Sequence, residues 1–182
     1  HAHYDLGNAF YKLWLDETMN YSSAWFEGNF DKPMPDAQRA KVRRALEMAG
    51  VKADDRVLEI GCGWGALAAA LAKRHGARVT GLTLSTEQLA HAQAQVRAQG
   101  LVNVDLRLQD YRDVDGRYDR IVSIEMLEAV GERYWPLYFD TLRDGSATVT
   151  YGFGVQGDVP LIADWDGDGK PDLVLYRGGE WY

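Results

Sequence analysis

A glycine-rich segment between an apolar strand and a helix is the feature that most constrains this fold. The segment Glu59-Ile60-Gly61-Cys62-Gly63-Trp64-Gly65 follows the expected strand Arg56–Ile60 and opens an expected helix, Trp64–His75. Glycines at alternate positions let a backbone approach a ligand closely, and the start of a helix offers N–H groups that lack partners. The segment therefore predicts a ligand-binding turn after a strand. The alternative is a tight turn that holds no ligand.

Around this turn the chain alternates helices and strands, from Pro35 to Asp144. Such alternation is typical of βαβ units, which form a parallel sheet with helices on both faces. A helical, aromatic-rich stretch from Tyr4 to Leu15 and beyond is expected to cover one mouth of the sheet. Besides the two elements above, we expect helices at Ala37–Met48, Thr86–Gln99 and Glu132–Leu142, and strands at Arg78–Leu82, Val104–Leu108 and Tyr118–Ile124.

The composition and the residue pattern of the sequence change near Asp144. Beyond it glycine is frequent, no helical period is visible, and three short β runs appear, at Thr148–Tyr151, Leu161–Ala163 and Leu173–Tyr176. We therefore expect an α/β domain over residues 1–144, with a helical cover (1–50) and a core (51–144) whose sheet is truncated. A short β-rich segment (145–182) follows it, and one of its runs would pair with the open edge of the strand at Tyr118–Ile124.

Composition excludes several classes of function. The net charge of −7 argues against a nucleic-acid-binding protein that relies on bulk positive charge. The longest apolar run, Ala66–Ala72, is far shorter than the roughly 20 residues that cross a bilayer. The single cysteine, Cys62, cannot form an internal disulfide and favours a reducing compartment. We expect a cytoplasmic protein that binds no nucleic acid.

The end of the second strand argues against a dinucleotide cofactor. A dinucleotide site usually places an acidic residue there to hold the ribose hydroxyls. This chain has Gly81-Leu82-Thr83-Leu84-Ser85 instead, and its G-x-G-x-G spacing departs from G-x-G-x-x-G. Both differences favour a smaller adenosine-containing ligand.

Five ordered strings of residues resemble one known family, the S-adenosylmethionine-dependent cyclopropane-fatty-acyl-phospholipid and mycolic acid cyclopropane synthases. The resemblance extends from His3 to about Asp144, and it implies a Rossmann-like methyltransferase fold. The strings are His3–Asn8 with Phe10-Tyr11, Met19–Ser23, Val57–Gly65, Gly81–Ser85 with Gln88, and Asp119–Gly131.

The resemblance also implies the residues that bind S-adenosylmethionine. Tyr21 and Ser22 would contact its methionine end, and the glycine segment, with Glu59, would line it. The glycines of that segment are Gly61, Gly63 and Gly65. The ribose and adenine would be held by Thr83, Leu84, Ser85, Gln88, Asp110, Tyr111 and Arg112. As alternatives, Tyr111 is a packed loop aromatic and Arg112 a solvated charge.

The chemistry that the family implies is cyclopropane formation on an unsaturated acyl chain of a phospholipid. The double bond attacks the sulfonium methyl group, and a bound bicarbonate then removes a proton so that the ring closes. Glu128 matches a glutamate of that bicarbonate site, and Ser23 matches a position that contributes its backbone carbonyl. Without the resemblance, Glu128 would be read as a carboxylate at a helix start.

The same family supplies a histidine and a tyrosine to the bicarbonate site from a region that lies beyond residue 144. This chain has no matching positions, because its four histidines all precede the relevant segment. The catalytic set therefore looks incomplete. Contact with phospholipid would be peripheral, at the inner membrane face, through Phe10, Tyr11 and Trp14, unless these three face the core. Self-association is expected through an open sheet edge.

An acidic segment near the carboxyl end indicates a different function. Its pattern, D-x-D-x-D-G-x-x-D, offers carboxylates at alternate positions and a glycine for a sharp turn, which suits Ca²⁺. It resembles the calcium loop of one FG-GAP or VCBS-type β-propeller repeat; the alternative is an acidic turn without metal. The expected calcium ligands are Asp164, Asp166, Asp168 and Asp172.

Three functions therefore remain open at the level of sequence. The first is a methyltransferase-type chain fused to a single propeller repeat. The second is a calcium-binding fragment of an adhesion or carbohydrate-associated protein, and the third is a chimera without a function of its own.

The calcium interpretation predicts a metal-dependent melting temperature. Ca²⁺ should raise the Tm of the chain, because a ligand that binds only the folded state stabilises that state. Asp166→Ala and Asp168→Ala, measured separately by calorimetry, should abolish the increase. A Tm that is the same with Ca²⁺ and with a chelator would contradict the interpretation.

Overall fold

The computed structural model describes residues 7–144 and the strands 148–152, 159–163, 172–177 and 180–181. The chain forms two compact units, residues 1–152 and 153–182. The division falls after the strand at 148–152, later than the change of sequence texture near Asp144. The reason is that this strand pairs with the sheet of the first unit.

The first unit contains six helices and five strands among its described residues. The helices are α1 (Asn8–Tyr11), α2 (Met34–Ala49), α3 (Ala66–His75), α4 (Thr86–Ala98), α5 (Leu127–Val130) and α6 (Trp135–Asp144). The strands are β1 (Arg56–Ile60), β2 (Arg78–Thr83), β3 (Val104–Leu108), β4 (Arg120–Ile124) and β5 (Thr148–Gly152). Single 3₁₀ turns lie at Tyr111–Asp113 and Glu132–Tyr134.

The five strands form one parallel sheet in the order β3-β2-β1-β4-β5. Strands β2 and β3 are added outward on one side of β1, and β4 and β5 are added on the other side. The predicted parallel sheet is therefore confirmed. The expected pairing of a carboxyl-terminal β run with β4 is confirmed as well, since Arg120 pairs with Thr148 and Ile124 with Gly152.

This pairing changes the prediction about edges. The edge of β4 that the sequence leaves open is covered by β5, so self-association could use only β3 or β5 among the described strands of this sheet. Self-association itself stays a prediction.

Neighbouring residues of β1 pack into two separate apolar cores, one on each face of the sheet. Val57 packs with residues of α2, α3 and α4, such as Leu46, Leu71 and Val96. Leu58, by contrast, packs on the opposite face with side chains of α6. Because side chains alternate along a strand, the continuous apolar run of β1 serves both faces. The helices on both faces follow the sequence prediction.

The helix that follows the glycine segment starts later than expected, at Ala66 rather than Trp64. Gly65 adopts the left-handed conformation with φ 85°, and its N–H donates to the carbonyl of Cys62 at 2.8 Å. Residues before Ala66 are therefore held in a turn. The same correction applies at Glu132, where a 3₁₀ turn precedes α6.

The expected helical cover at the amino-terminal end is largely wrong. Of the described residues before Pro33, only Asn8–Tyr11 form a helix, and the following stretch consists of turns and bends. Tyr11 is buried against the ring of Trp64, whereas Phe10 and Trp14 are 44% and 53% exposed. These three aromatic residues therefore do not share one environment.

The second unit contains a three-stranded antiparallel sheet. Its strands are β6 (Val159–Ala163), β7 (Asp172–Arg177) and β8 (Glu180–Trp181), in the order β6-β7-β8. Val159 pairs with Tyr176, and Tyr176 also pairs with Trp181. The predicted β character of this segment agrees with these strands. Three of the four expected calcium ligands (Asp164, Asp166, Asp168) lie outside the described residues.

In the part of the chain that the structure describes, no helix is both long and apolar enough to span a bilayer.

The pairing of β4 with β5 makes a testable prediction for hydrogen exchange. N–H groups of successive strand residues point to opposite neighbours, so either Val149→Pro or Thr150→Pro must remove a hydrogen bond between β5 and β4. We expect one of these variants to accelerate exchange of β4 amides at Val122 or Ser123 by about tenfold or more, on the order of one lost hydrogen bond. The amides of β2, which lies between β1 and β3, serve as the internal control. Unchanged exchange in both variants would contradict the pairing.

Candidate functional site

A cavity of about 720 Å³ lies where the loops that follow β1, β2, β3 and β4 meet. The strand order reverses between β1 and β4, and ligands of open α/β sheets bind at such a point, beyond the carboxyl ends of the strands. The volume falls in the range of small-molecule sites. The lining comes from five stretches of chain, at residues 19–22, 59–64, 82–85, 109–112 and 124–130, with further residues from α2, α3 and α4.

The glycine turn forms the floor beside β1. The N–H groups of Gly61 and Cys62 both donate to the carbonyl of Leu82, at 3.0 and 2.8 Å, and tie the turn to the end of β2. Gly63 has φ 53°, and no heavy atom lies within 4 Å of the position that a Cβ would take. The backbone at Gly63 is therefore open to a ligand that could approach closely.

Gly65 has a different role from the other two glycines. It does not line the cavity, and a Cβ there would lie 2.9 Å from the Cβ of Ala92 in α4. The close approach of the turn to α4 therefore requires a glycine at this position.

The corner between β2 and α4 presents neutral polar groups. The Thr83 hydroxyl donates to Gln88 Oε1 at 2.8 Å, and the backbone N–H of Gln88 donates to Ser85 Oγ at 3.3 Å, which caps α4. All three side chains are buried and line the cavity, while Leu84 between them is 46% exposed. The predicted ribose-binding residues thus lie together at one wall.

The loop after β3 contributes a paired acid and base. Asp110 Oδ1 accepts from Arg112 Nε at 2.9 Å, and Oδ2 accepts from Nη2 at 2.7 Å. The hydrogen bond from Arg112 holds the pKa of the Asp110 carboxyl below its usual range. Tyr111 packs edge-on against Tyr138, with ring centroids 5.2 Å apart, and Arg112 lies over Tyr134. All three predicted residues line the cavity.

An aromatic cluster supports the opposite wall. Tyr21 lines the cavity and meets Tyr11 edge-on at 5.9 Å, and Tyr11 in turn packs on Trp64 at 5.0 Å. The indole N–H of Trp64 donates to Asn8 Oδ1 at 2.6 Å. The cluster therefore joins α1 and the glycine turn to the predicted cofactor-binding Tyr21.

The Ser22-Ser23 segment is held by side chains from distant parts of the sequence. The Ser22 carbonyl accepts from Gln38 Nε2 at 2.9 Å, and Ser22 Oγ accepts from Lys41 Nζ at 2.5 Å. The Ser23 N–H donates to Glu125 Oε1 at 2.8 Å, and its hydroxyl donates to the same oxygen. Ser22 lines the cavity and Ser23 does not.

A buried carboxyl and a nearby lysine have shifted pKa values at this end of the cavity. Glu59 is 5% exposed, and burial raises its pKa to about 8, against a hydrogen bond from the Ala68 N–H and the charge of Lys41. Burial lowers the pKa of Lys41 to about 8, against the charges of Glu125, Asp16 and Glu59. Glu59 Oε2 has no hydrogen-bond partner among the described residues.

Glu128 lies in the first turn of α5, is exposed, and lines the cavity. Ser23, its expected partner at a bicarbonate site, bonds to Glu125 through its N–H and hydroxyl, and the expected role of its backbone carbonyl stays a prediction. No group of three or more His, Cys, Asp or Glu within the described ranges could hold a metal ion.

Sequence reasoning missed Lys41, Gln38 and Glu125. Glu125 has φ 50°, a left-handed backbone conformation that is uncommon for residues other than glycine, directly after β4. Its place at the carboxyl end of a central strand could have marked it as a candidate. Lys41 and Gln38 are on one face of α2, and nothing in the helical pattern shows that this face meets residues 22 and 23.

Comparison with known proteins agrees with this geometry. The family model of mycolic acid cyclopropane synthetase matches residues 1–148. Tuberculostearic acid methyltransferase UfaA1 of Mycobacterium tuberculosis is 49% identical over 149 residues, 78% of this chain and 35% of that protein. Cyclopropane-fatty-acyl-phospholipid synthase of Escherichia coli is 43% identical over 137 residues, 75% of this chain and 35% of that protein.

A solved structure shows the same fold. The crystal structure of mycolic acid cyclopropane synthase CmaA1, complexed with SAH and CTAB, superposes with a TM-score of 0.75 at 35% identity, over 79% of this chain and 50% of that one. The fold is thus the Rossmann-like fold of S-adenosylmethionine-dependent methyltransferases, as the sequence predicts. The chain belongs to the mycolic acid cyclopropane synthetase family. It spans between about a third and a half of the length of the curated relatives that it matches.

The buried Glu59 predicts how stability depends on pH. Its pKa rises from 4.5 in the unfolded chain to about 8 in the folded one, so the folded state binds more protons between these values. The contribution of neutral Glu59 to stability is therefore fully present below pH 4.5 and is lost as pH rises to 8. The Glu59→Gln variant should not lose stability in this way as pH rises. At pH 8 the free energy of unfolding of the variant should therefore exceed that of the parent chain by more than about 1 kcal/mol.

Urea unfolding of both proteins at pH 5 and pH 8 measures the difference. Glu87→Gln is the control variant, because Glu87 is exposed and the substitution removes a carboxylate that is not buried. Parallel pH profiles of Glu59→Gln and the parent chain would contradict the raised pKa.

Proposed function

We propose that this chain is the S-adenosylmethionine-binding part of an enzyme that methylates the double bond of an unsaturated fatty acyl chain in a phospholipid, forming a cyclopropane ring. One observation carries the proposal. The residues that the family resemblance assigns to the cofactor come from four separate loops, and nearly all of them line a single cavity at the strand-order reversal.

The groups around the cavity fit the parts of this cofactor. Thr83, Ser85 and Gln88 offer neutral hydroxyl and amide groups for ribose hydroxyls, and Tyr111 offers an aromatic surface for adenine. Glu59 places a carboxyl oxygen without a partner among the described residues at the opposite end, where an ammonium group could donate to it. The open backbone at Gly63 lies between these two ends.

Bound S-adenosylmethionine would supply an electrophilic methyl group on its sulfonium sulfur. In the proposal Tyr21, Ser22, Gly61 and Gly63 hold its methionine half. Bicarbonate, oriented by Glu128 and by the backbone of Ser23, would take up the proton that is lost. The net change to the lipid is the gain of one CH₂ unit.

The names of the relatives favour a second product as an alternative. UfaA1 is named as a methyltransferase of tuberculostearic acid, and the Escherichia coli relative as a cyclopropane synthase. Transfer of a methyl group followed by proton loss can give either a ring or a branched alkene, and both have the same mass. The proposal commits to the ring.

Contact with the lipid would be peripheral, in the cytoplasm at the inner membrane face. The partial exposure of Phe10 and Trp14 supports this arrangement, since aromatic side chains with one wet side suit a membrane interface. The calcium-binding propeller repeat proposed from the sequence has no support from the comparisons, whose family match ends at residue 148.

Cofactor binding is tested by a pair of glycine variants. Gly63 and Gly76 both have positive φ, 53° and 68°, and open space around the Cβ position, but only Gly63 lines the cavity. Gly63→Val should weaken binding of S-adenosylhomocysteine in calorimetric titration by about tenfold or more, since each lost contact of this kind contributes about 1 kcal/mol or more. Gly76→Val carries a similar backbone cost and should bind like the parent chain. Equal loss in both variants, or no binding by the parent chain, would contradict the proposal.

The product is tested separately on the same protein. Incubation with an unsaturated phospholipid, S-adenosylmethionine and bicarbonate, followed by proton NMR of the extracted lipid, separates a ring methylene from the methylene branch of an open-chain alkene. Ring protons are the expected result. Protons of a new terminal =CH₂ group, distinct from the CH=CH protons of the substrate, would favour the alternative product. Unchanged lipid from a chain that binds the cofactor would mean that the catalytic set is incomplete here.

A further inference from the structure

The segment that holds Tyr21, Ser22 and Ser23 is not fixed by a helix or a strand. Between α1 and α2 the described chain consists of turns and bends, so no ladder of backbone hydrogen bonds sets its position. Its place at the cavity depends on side chains from elsewhere in the fold. Three of them form hydrogen bonds with Ser22 or Ser23, namely Gln38 and Lys41 from α2 and Glu125 from the end of β4.

Of these three side chains, Lys41 carries the positive charge that suits an anionic ligand group. It lines the cavity itself, and its ammonium group donates to Ser22 Oγ at 2.5 Å and lies 3.4 Å from the Ser22 carbonyl oxygen. The charged groups that act on it are carboxyls, those of Glu125, Asp16 and Glu59. An anionic ligand group at this end would meet repulsion from these carboxyls without the ammonium.

We propose that Lys41 is a positioning residue for the amino-acid end of the cofactor: it seats Ser22 at the cavity wall and offsets the surrounding carboxyls so that a ligand carboxylate is accepted there. This inference rests on the proposed function, because it assumes that the ligand carries both an adenosine and an amino acid. It predicts that Lys41 affects one half of the ligand and not the other.

The contacts of the ribose-binding residues explain why only one half of the ligand should depend on Lys41. Thr83, Ser85 and Gln88 bond to one another and to the start of α4, whereas the ammonium group of Lys41 bonds to Ser22. A ligand that occupies only the adenosine half should therefore not depend on Lys41. 5′-Methylthioadenosine is such a ligand, since it has the adenosine and a thioether but no amino acid.

The test compares calorimetric titrations of S-adenosylhomocysteine and 5′-methylthioadenosine into four forms of the 182-residue chain. These are the parent chain, Lys41→Met, Lys41→Arg and, as a matched control, Lys52→Met. Lys52 is exposed in the connection between α2 and β1 and does not line the cavity. Lys41→Met should weaken binding of S-adenosylhomocysteine roughly 10- to 100-fold, the effect of one lost charge-assisted hydrogen bond. Binding of 5′-methylthioadenosine should change less than about twofold.

Lys41→Arg, which keeps the charge, should recover most of the lost affinity for S-adenosylhomocysteine. Lys52→Met should bind both ligands like the parent chain. Equal weakening of both ligands by Lys41→Met would overturn the inference and assign Lys41 a purely structural role. Unchanged binding of both would overturn it as well.

The same titrations separate failure of the inference from failure of the proposed function. If the parent chain binds neither ligand, the proposed function fails, and the inference fails with it. If the parent chain binds both ligands and Lys41→Met changes them in parallel, only the inference fails.

Discussion

The parallel pairing of β1 with β2 on one side and β4 on the other is the constraint on which the rest of this structure depends. Because the strands are parallel, the loops after β1, β2, β3 and β4 all open at the same edge. Because strands are added in opposite directions from β1, a gap is left between the loops of β1 and β4. A cavity forms there as a consequence of topology, and the residues of the loops decide what it can bind.

The cavity has two ends of different character. The adenosine end is made of groups that pair with one another, the neutral Thr83 with Gln88 and the charged Asp110 with Arg112. The other end concentrates charge: Glu59, Glu125 and Lys41 act on one another there, with pKa values of about 8 for Glu59 and Lys41. This polarity matches a ligand with a neutral, aromatic half and a zwitterionic half. It also explains why the irregular segment around Ser22 is anchored at the charged end.

Sequence alone predicts the sheet and most of its helices, because their signals are local. The apolar run of β1 and the glycine turn each specify an element within a few residues. The amino-terminal cover fails as a prediction for the opposite reason. Its aromatic residues suit a helix by composition, but their partners lie far away: Tyr11 packs on Trp64, and Asn8 accepts from the same indole.

The candidate site shows the same division. The glycines are visible as a motif, and the Thr83–Gln88 corner is assigned by the resemblance to the family. Lys41 and Glu125 are not, because their meeting with Ser22 and Ser23 depends on how α2 and the end of β4 pack in three dimensions. No periodicity within α2 distinguishes a lysine that reaches a cavity from one that reaches solvent.

The most direct test of the account is a crystal structure of this chain with S-adenosylhomocysteine bound. The account predicts the adenosine at the wall formed by Thr83, Ser85 and Gln88, the ligand passing over Gly63, and the amino-acid end beside Ser22 and Glu59. A ligand that binds outside this cavity, or in the cavity with its two ends reversed, would contradict it.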